Sequence, residues 1–578
     1  MSAGQAWILR RRSFTEAPPA YAGLDPLLAR ILYARKIEDP AEVRTFLDGA
    51  PDQANPFALT DMPRAVARLL WAVHAGERIV VYGDYDTDCV TATALVLGAL
   101  QGLGARARAY IPDRFAEAYG LNVTALSALR EEGAEVLVTV DCGIRSVEEA
   151  AHAAAIGLDL IITDHHSVPA VLPQALAVID PKRPDCPYPF QELAGVGLAY
   201  RLAQALYAAW NATLPPGAPP AEAAQFLDLV ALGTVGDIVP LWGENRALVR
   251  AGLTALRSTA RPGLRALIEA SGIAAERLDA QDIAFRLGPR LNAAGRLHNA
   301  NIALDLLTAT DPTEGRLLAA RLSEINRERQ TLLEAQVAAA SATLAAEEGD
   351  VEDRTLLFVA REDLNEGIVG LIASRLAEQY YRPTLVMRAN GEGVRGSARS
   401  IEGFHVTEAL EACRESLTRF GGHAMAAGFS LDPENLGAFR AEIEAVAEEA
   451  LRDSPLLARR IDVDAIVPLS ALTLDGVRAL AALEPCGEGN PPPALATQGL
   501  RILESRAVGQ TGAHLRLVVS DGTATLTAIA FRQGPLAEAY PPSSVADAVY
   551  TPALNEYNGQ VSVQLIVQTL RPAEGARQ

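Results

Sequence analysis

The stretch "RIVVYGDYDTDCVTATALVLGAL", residues 78–100, decides how this chain is read. It opens as a short apolar run of strand length and closes as an apolar segment of helical character. Between the two, Asp84, Asp86 and Asp88 stand at every second position. Crowded carboxylates repel one another, and they persist where water or a cation neutralises them.

Outward from this stretch the same rhythm repeats. "ARAYIP" (107–112) is a strand, "AEVLVTVDCG" (134–143) a strand ending in Asp141, and "SVEEAAHAAAIG" (146–157) a helix closed by glycine. "LDLIITDHH" (158–166) is a strand ending in Asp164, His165 and His166, and "ALAVIDP" (175–181) is one more. Alternating strands and helices predict right-handed βαβ units on a parallel sheet. The polar residues fall at or just past the C-terminal ends of these strands, the edge at which open α/β sheets bind ligands. "LVALGTVGDIVPL" (229–241) is read as a fourth such site, placing Asp237 after another apolar run.

The rest of the chain divides by pattern. Residues 1–60 read as a helical extension, 61–255 as the parallel-sheet unit, and 256–345 as helices. The helices end in "RLLAARLSEINRERQTLLEAQVAAASATL" (316–344), whose Leu318, Leu322, Ile325 and Leu333 keep helical spacing, as in a long connecting helix. Residues 346–455 form a smaller α/β unit, and residues 456–578 turn to β character, with "HLRLVVSDGTATLTAIAF" and "QVSVQLIVQTL". A small barrel of the OB type fits that size and spacing. "EPCGEGNPPPA" (484–494) is its Gly/Pro-rich lead-in loop.

Composition sets bounds. The chain has 578 residues, 49% of them hydrophobic and 21% charged, which is globular and long enough for several domains. No long uncharged apolar run or signal-peptide pattern occurs, so no membrane association is expected. The five cysteines are scattered and form no CxxC pair, which excludes a disulfide framework or zinc ribbon and suits a reducing cytosol. A net charge of −20 excludes a basic coat for nucleic acid but leaves room for local basic clefts. Only Lys36 and Lys182 are lysines, so nearly every cation is arginine, the residue suited to phosphate. GC-rich coding would give the same bias, together with the Ala and Pro excess.

Aspartate and histidine converging from separate strand ends make a site for Mn²⁺ or Mg²⁺ rather than for a thiolate metal. Four to six carboxylates carry too much charge for one divalent ion. Two ions about 3.5–4 Å apart, bridged by one aspartate, would balance it and would support phosphoester hydrolysis. Other readings of the first cluster are a solvated turn, an EF-hand opening and the DxDx[TV] loop of haloacid-dehalogenase phosphatases. The EF-hand lacks its glycine at Cys89, and the phosphatase loop lacks Thr or Val at Asp88. Cys89 and Cys142 read as small buried filler.

"DYDTD", "TVDCG", "TDHH" and "GTVGDIVPL", in that order, resemble the four motifs of the DHH phosphoesterase superfamily. "VRGSARS" (394–400) and "FGGHAMAAGFSL" (420–431) resemble its associated DHHA1 domain. "FRLGPRLNAAGRL" (285–297) and "EPCGEGNPPPA" narrow the resemblance to the RecJ family, single-strand-specific 5′→3′ DNA exonucleases of repair and recombination. The resemblance implies an α/β fold: a parallel-sheet DHH domain and a smaller α/β DHHA1 domain joined by a long helix, with a C-terminal OB-fold barrel. It implies two divalent cations, Mn²⁺ or Mg²⁺. One would be held by Asp84, Asp86 and Asp141, the other by Asp88, Asp141, His165 and Asp237, with Asp141 bridging. His166 would stand near the scissile phosphate, and Asp164 would orient backbone and histidine.

The resemblance also implies where the strand lies. Arg114 and Tyr119 of "PDRFAEAYGLN" would line its path. Arg290, Asn292 and Arg296 surround a turn-like "NAAG". Arg395, Ser397 and Arg399 flank Gly396, which would let backbone N–H groups approach an anion; Gly421, Gly422 and His423 would do likewise. These two DHHA1 loops would form a pocket for the 5′ end. Single-stranded DNA, a single-strand-binding protein and a helicase are the implied partners of a monomer. Four positions depart from the family pattern: Cys89 and Ala118 stand where glycine is usual, Cys486 where Phe or a similar residue is, and Asn365 where many relatives carry His. Two alternatives remain open: a DHH phosphodiesterase of short RNA or cyclic dinucleotides, and a non-catalytic scaffold of the Cdc45 type.

Overall fold

Five parallel strands build the first sheet in the order Arg106–Tyr110, Arg78–Tyr82, Val136–Val140, Asp159–Thr163, Ala177–Ile179. The structure is a computed structural model, and it describes residues 6–11, 14, 18–49, 54–114, 117, 120–347, 350–391 and 393–573. The central strand "VLVTV" is buried at every position, as a parallel strand covered on both faces must be. Arg78–Tyr82, the first strand of this sheet in chain order, lies between the second and the third, so the order reverses there and a crevice opens at the C-terminal strand ends. The strands expected between residues 78 and 181 all form. So does the helix after the first motif, Thr87–Gly102, which Asp86 caps by accepting the Cys89 N–H at 2.9 Å.

The fourth motif differs from expectation. Residues Leu227–Gly236 form a helix, not a strand, and Asp237 caps its C-terminal end. Every residue of "DLVALGTV" is buried, and a run that is apolar on all sides carries no period to separate strand from helix. "NAAG" is likewise no turn but lies inside the helix Gly288–Leu297.

The helix Pro312–Ala346 is 35 residues long, about 52 Å. Ala319 and Leu322 pack into the first core, while Leu333, Ala340 and Leu344 pack against the second sheet. That sheet runs Arg419–Gly422, Ala426–Leu431, Gly393–Arg399, Thr384–Asn390, Leu357–Arg361. The two motif segments expected as DHHA1 loops are therefore neighbouring strands, with Gly396 opposite Phe429 and Gly421 opposite Gly428. Five C-terminal strands close into a barrel, since Leu495–Val508 pairs with both His514–Ser520 and Val545–Tyr557.

The N-terminal extension is not helical throughout. Ala6–Leu9 is a strand parallel to Arg460–Val463, and helices Pro26–Ala34 and Pro40–Asp48 follow. Leu27, Leu28, Ile31 and Leu32 bury in the core of the barrel, so the N-terminal helices pack with the C-terminal domain. Among the described residues no helix is long and apolar enough to cross a membrane.

Candidate active site

The reversal in strand order brings two motif aspartates side by side, Asp84 after the first strand and Asp141 after the third. Asp141 has φ 59°, a left-handed conformation that costs a non-glycine residue of order 1–3 kcal/mol and aims its carboxylate into the crevice. Two groups of side chains converge there, Asp141 with His165 and His166, and Asp88 with His165 and Asp237, each with ligand atoms within 4.8 Å of one another. Asp141 Oδ1, both ring nitrogens of His165 and Asp237 Oδ2 are buried without a hydrogen-bond partner. His165 Nε2 lies 3.0 Å from Asp141 Oδ1 and 3.6 Å from Asp237 Oδ2, yet makes no hydrogen bond of good geometry to either. Atoms that approach without bonding are aimed at a third atom, and this donor set suits a hard divalent cation.

Asp84 and Asp86 border these groups without joining either. Asp84 accepts the N–H groups of Tyr85 (2.7 Å) and Gly120 (3.1 Å), and Asp86 is an exposed helix cap. Asp164 turns away from the cage. It accepts from Ile144 N (2.8 Å), His165 N (2.8 Å), His166 N (3.1 Å) and His166 Nδ1 (2.7 Å).

The electrostatics point the same way. Burial, then the neighbouring Asp86, push the Asp84 carboxyl up to about 7. Asp88 is raised by burial and by Asp237, and Asp141 by burial and by Asp88. Three carboxyls drifting toward neutrality mark a site short of positive charge. His166 runs the other way: burial opposes its charge, but the Asp164 hydrogen bond and the Asp164 and Asp141 carboxylates raise it to about 9.

Two supports were not legible in the motifs. Asp88 accepts the Gly195 and Val196 N–H groups, at 2.6 and 2.9 Å, from the N-terminus of helix Gly195–Asn211. A Cβ on Gly195 would stand 2.6 Å from the Asp141 Cβ, and one on Gly233 would stand 2.7 Å from Asp88 Oδ1. Both glycines let a helix touch the cage, and the spacing "AGVG" before an apolar helix was the available signal. Cys89 is more than filler: its thiol donates to the Val140 carbonyl at 3.2 Å and takes the Asp84 N–H, tying two strand ends together.

Opposite the cage stands the second sheet. The rings of His166 and His423 lie parallel, 6.3 Å apart with 8° between planes. Arg399 donates to Ser397 Oγ at 2.7 Å and to Ser374 Oγ at 3.1 Å. Arg296 is pushed down to about 10 by burial and then by Arg114, Arg329 and Arg399, so four guanidiniums crowd one region. Arg114 lies over the Tyr85 ring at 4.6 Å. Arg329, on the long helix, was missed; its Nε is buried without a partner. It stands four and seven residues after Ile325 and Leu322, on the helix's buried stripe, and a charge on that stripe was the signal.

Other expected contacts fall elsewhere. Asn292 Oδ1 accepts the Thr87 N–H at 2.8 Å, bracing the first motif. Arg290 bonds to the Arg286 carbonyl (2.6 Å) and Ser323 Oγ (3.3 Å). Arg395 pairs with Glu366 at 3.5 Å. Gly396 does not open its backbone to an anion; the Phe429 ring occupies its Cβ position, 2.3 Å away, and the strand is paired on both sides. Gly421 and Gly422 pair with the neighbouring strand, and His423 N–H donates to the Ala426 carbonyl at 2.8 Å. Asn365 caps a local turn, accepting the Gly367 N–H at 2.9 Å. Tyr119 and Ala118 lie outside the described residues.

Known protein families account for three segments of the chain. Residues 78–234 match the DHH family, N-terminal domain; 353–449 match the DHHA1 domain; 463–569 match the RecJ OB domain. The single-stranded-DNA-specific exonuclease RecJ of Bacillus subtilis is 37% identical over 95% of this chain and 68% of its own length. That of Dickeya dadantii is 37% identical over 98% of this chain and 99% of its own. The crystal structure of RecJ from Thermus thermophilus in complex with Mn²⁺ superposes with a TM-score of 0.82 at 32% identity, covering 98% of this chain and 80% of that one. Its complex with Mg²⁺ gives 0.77 at 31% identity, covering 98% and 79%. The chain belongs to the RecJ family of DHH-domain exonucleases.

Proposed function

We propose that this chain is a metal-dependent exonuclease that degrades single-stranded DNA from the 5′ end to mononucleotides. The observation that carries the reading is the set of unpartnered buried ligand atoms on Asp141, His165 and Asp237, near a cluster of four arginines. Asp84, Asp86 and Asp141 would hold one divalent cation; Asp88, Asp141, His165 and Asp237 would hold the other. Mn²⁺ and Mg²⁺ are the ions named for the Thermus relative. When bound, such a pair supplies an activated water and charge neutralisation at the phosphorus.

The side chains supply the rest. His166, kept cationic by Asp164, would meet the scissile phosphate between the two walls. Arg296, Arg329, Arg399 and Ser397 would hold the terminal phosphate, which sets the direction of digestion. Arg114 and Tyr119 would guide the strand that follows. Residues 61–255 would act as the catalytic unit and 346–455 as the facing wall, with 256–345 connecting them. The 456–578 barrel, with the 1–60 extension docked on it, would handle the longer strand. This length of DNA-handling surface favours a polymer over a short oligoribonucleotide or cyclic dinucleotide, and the complete ligand set disfavours a non-catalytic scaffold. A monomer in a reducing cytosol, supplied by a helicase and a single-strand-binding protein, is supported by the family resemblance and the scattered cysteines.

The test is digestion of 5′-labelled and 3′-labelled single strands with Mn²⁺, Mg²⁺ or chelator. Early release of the 5′ label as mononucleotide is expected. Asp141→Ala should lower the rate about 10²–10³-fold or more. Binding without digestion in either metal would defeat the reading.

A further inference from the structure

The lead-in loop "EPCGEGNPPPA" has no role in the reading above, yet it touches the segment that carries Asp237. Leu241 donates its N–H to the Glu488 carbonyl at 2.7 Å, and its side chain is buried. A Cβ on Gly487 would stand 2.7 Å from Leu241 Cδ1, and one on Gly489 would stand 3.0 Å from Pro240 Cβ. Glycine at both positions is what lets the loop lie flat on residues 240–242.

Between Asp237 and this contact the chain makes a turn that does not hold itself. Ile238 has φ 65° and is 69% exposed, so a β-branched residue sits in the left-handed region with little packing to offset the cost. On one side the turn is tied by the Asp237 N–H to the Gly233 carbonyl, 2.8 Å. On the other it is tied to the loop through Leu241, and to the next helix through Asn245 Nδ2, which donates to the Pro240 carbonyl at 3.1 Å. The loop is fastened within itself and from two other parts of the chain. Asn490 Nδ2 donates to the Leu483 and Pro485 carbonyls, both at 2.8 Å. Arg35 of the N-terminal extension donates to Asn490 Oδ1 at 2.7 Å. Arg246, from the helix after Trp242, donates to the Leu483 carbonyl at 2.9 Å and the Pro485 carbonyl at 3.2 Å.

We propose that Gly487–Gly489 is a positioning latch: by holding Leu241, it keeps the strained Ile238 turn closed and Asp237 aimed into the metal cage. The barrel region thus contributes to the catalytic centre without touching substrate there. The inference rests on Asp237 being a metal ligand. A ligand's support of this kind is worth about 10–100-fold in metal affinity. Linkage requires the reverse effect as well: metal held by Asp237 must steady the loop.

Hydrogen exchange on the full-length wild type, with chelator and then with Mn²⁺, reads that reverse effect. The Gly487 and Asn490 amides, which close the loop on each other at 2.9 and 3.2 Å, should slow on Mn²⁺ addition, and should not in Asp237→Ala. Calorimetric Mn²⁺ titration of Gly487→Ala should show one of two binding events weakened about 10-fold or more. Gly499→Ala, a left-handed barrel glycine with open space at its Cβ, is the control; it should lower thermal stability and leave both events unchanged. Loop exchange indifferent to Mn²⁺, or equal Mn²⁺ affinity in the Gly487 and Gly499 variants, would overturn the latch while leaving the metal centre standing. Absence of Mn²⁺ binding by the wild type would overturn the metal centre, and the latch with it.

Discussion

Asp84 carries the cost of crowding carboxylates in a buried crevice. Its carboxyl is raised from 3.8 to about 7 by burial and by Asp86, so the folded chain binds a proton there that the unfolded chain has released. A raised carboxyl contributes most below its unfolded value and loses that contribution as pH rises through the folded one. Stability with chelator should therefore fall between pH about 4 and about 7, at up to about 1.4 kcal/mol per pH unit for one such group. Saturating Mn²⁺ should flatten this slope, because the ion replaces the proton. Urea unfolding across that range, with and without Mn²⁺, measures both slopes; identical slopes would remove the cation from the account of these aspartates. Arg329 is the matching case on the cationic side. Its buried, unpartnered Nε is poorly solvated in the free protein, so Arg329→Ala should leave thermal stability unchanged or higher. The same variant should weaken binding of a 5′-phosphorylated strand and reduce the salt slope by about 0.7. Unchanged DNA affinity in a fluorescence titration would return Arg329 to a packing role.

At the scale of elements, two helices complete what the strands begin. The N-terminus of helix Gly195–Asn211 brings paired N–H groups and the positive end of its dipole to Asp88, which holds that carboxylate in place before any ion arrives. The helix Leu227–Gly236 delivers Asp237 and passes Asp88 closely enough that Gly233 has no room for a Cβ. Gly195→Ala would force its Cβ against the Asp141 side chain. It should cost about 1–3 kcal/mol of stability and lower exonuclease activity further than that loss explains, because the side chain displaced is the one proposed to bridge both cations. Activity per folded molecule, compared with Gly272→Ala on the surface, separates the two effects. Wild-type specific activity in Gly195→Ala would show that the helix end is free to shift.

Across the whole molecule the charge is −20, yet Arg114, Arg296, Arg329 and Arg399 converge where the two sheets face each other. The acidic balance belongs to the chain as a whole, whereas these four arginines cluster in the cleft, a field that would draw a strand there and not to the exterior. Four phosphate contacts on a single strand give a slope near −0.7 per contact. Affinity measured in chelator should then fall about 50-fold between 50 and 200 mM salt. Flat affinity over that range would contradict an arginine-lined path.

Much of this was written in local sequence. The strand runs ending in Asp84, Asp141 and Asp164–His166 fixed the parallel sheet and the edge where the site lies, because strand period and strand ends are properties of neighbouring residues. The long helix was legible from Leu322, Ile325 and Leu333 for the same reason. What local pattern could not decide was contact between distant segments. The apolar run before Asp237 read as a strand until its packing against the Thr87–Gly102 helix made it a helix. "NAAG" looked like a turn, Gly396 looked like an anion seat, and neither is one, since helix continuity and the Phe429 ring are set across the fold. Residue identity named the candidate ligands; only the tertiary structure decided which of them meet, which helices brace them and which loop of the barrel region reaches back to Asp237. A single sequence records what each residue can bond to, and burial between segments hundreds of residues apart determines what it does bond to.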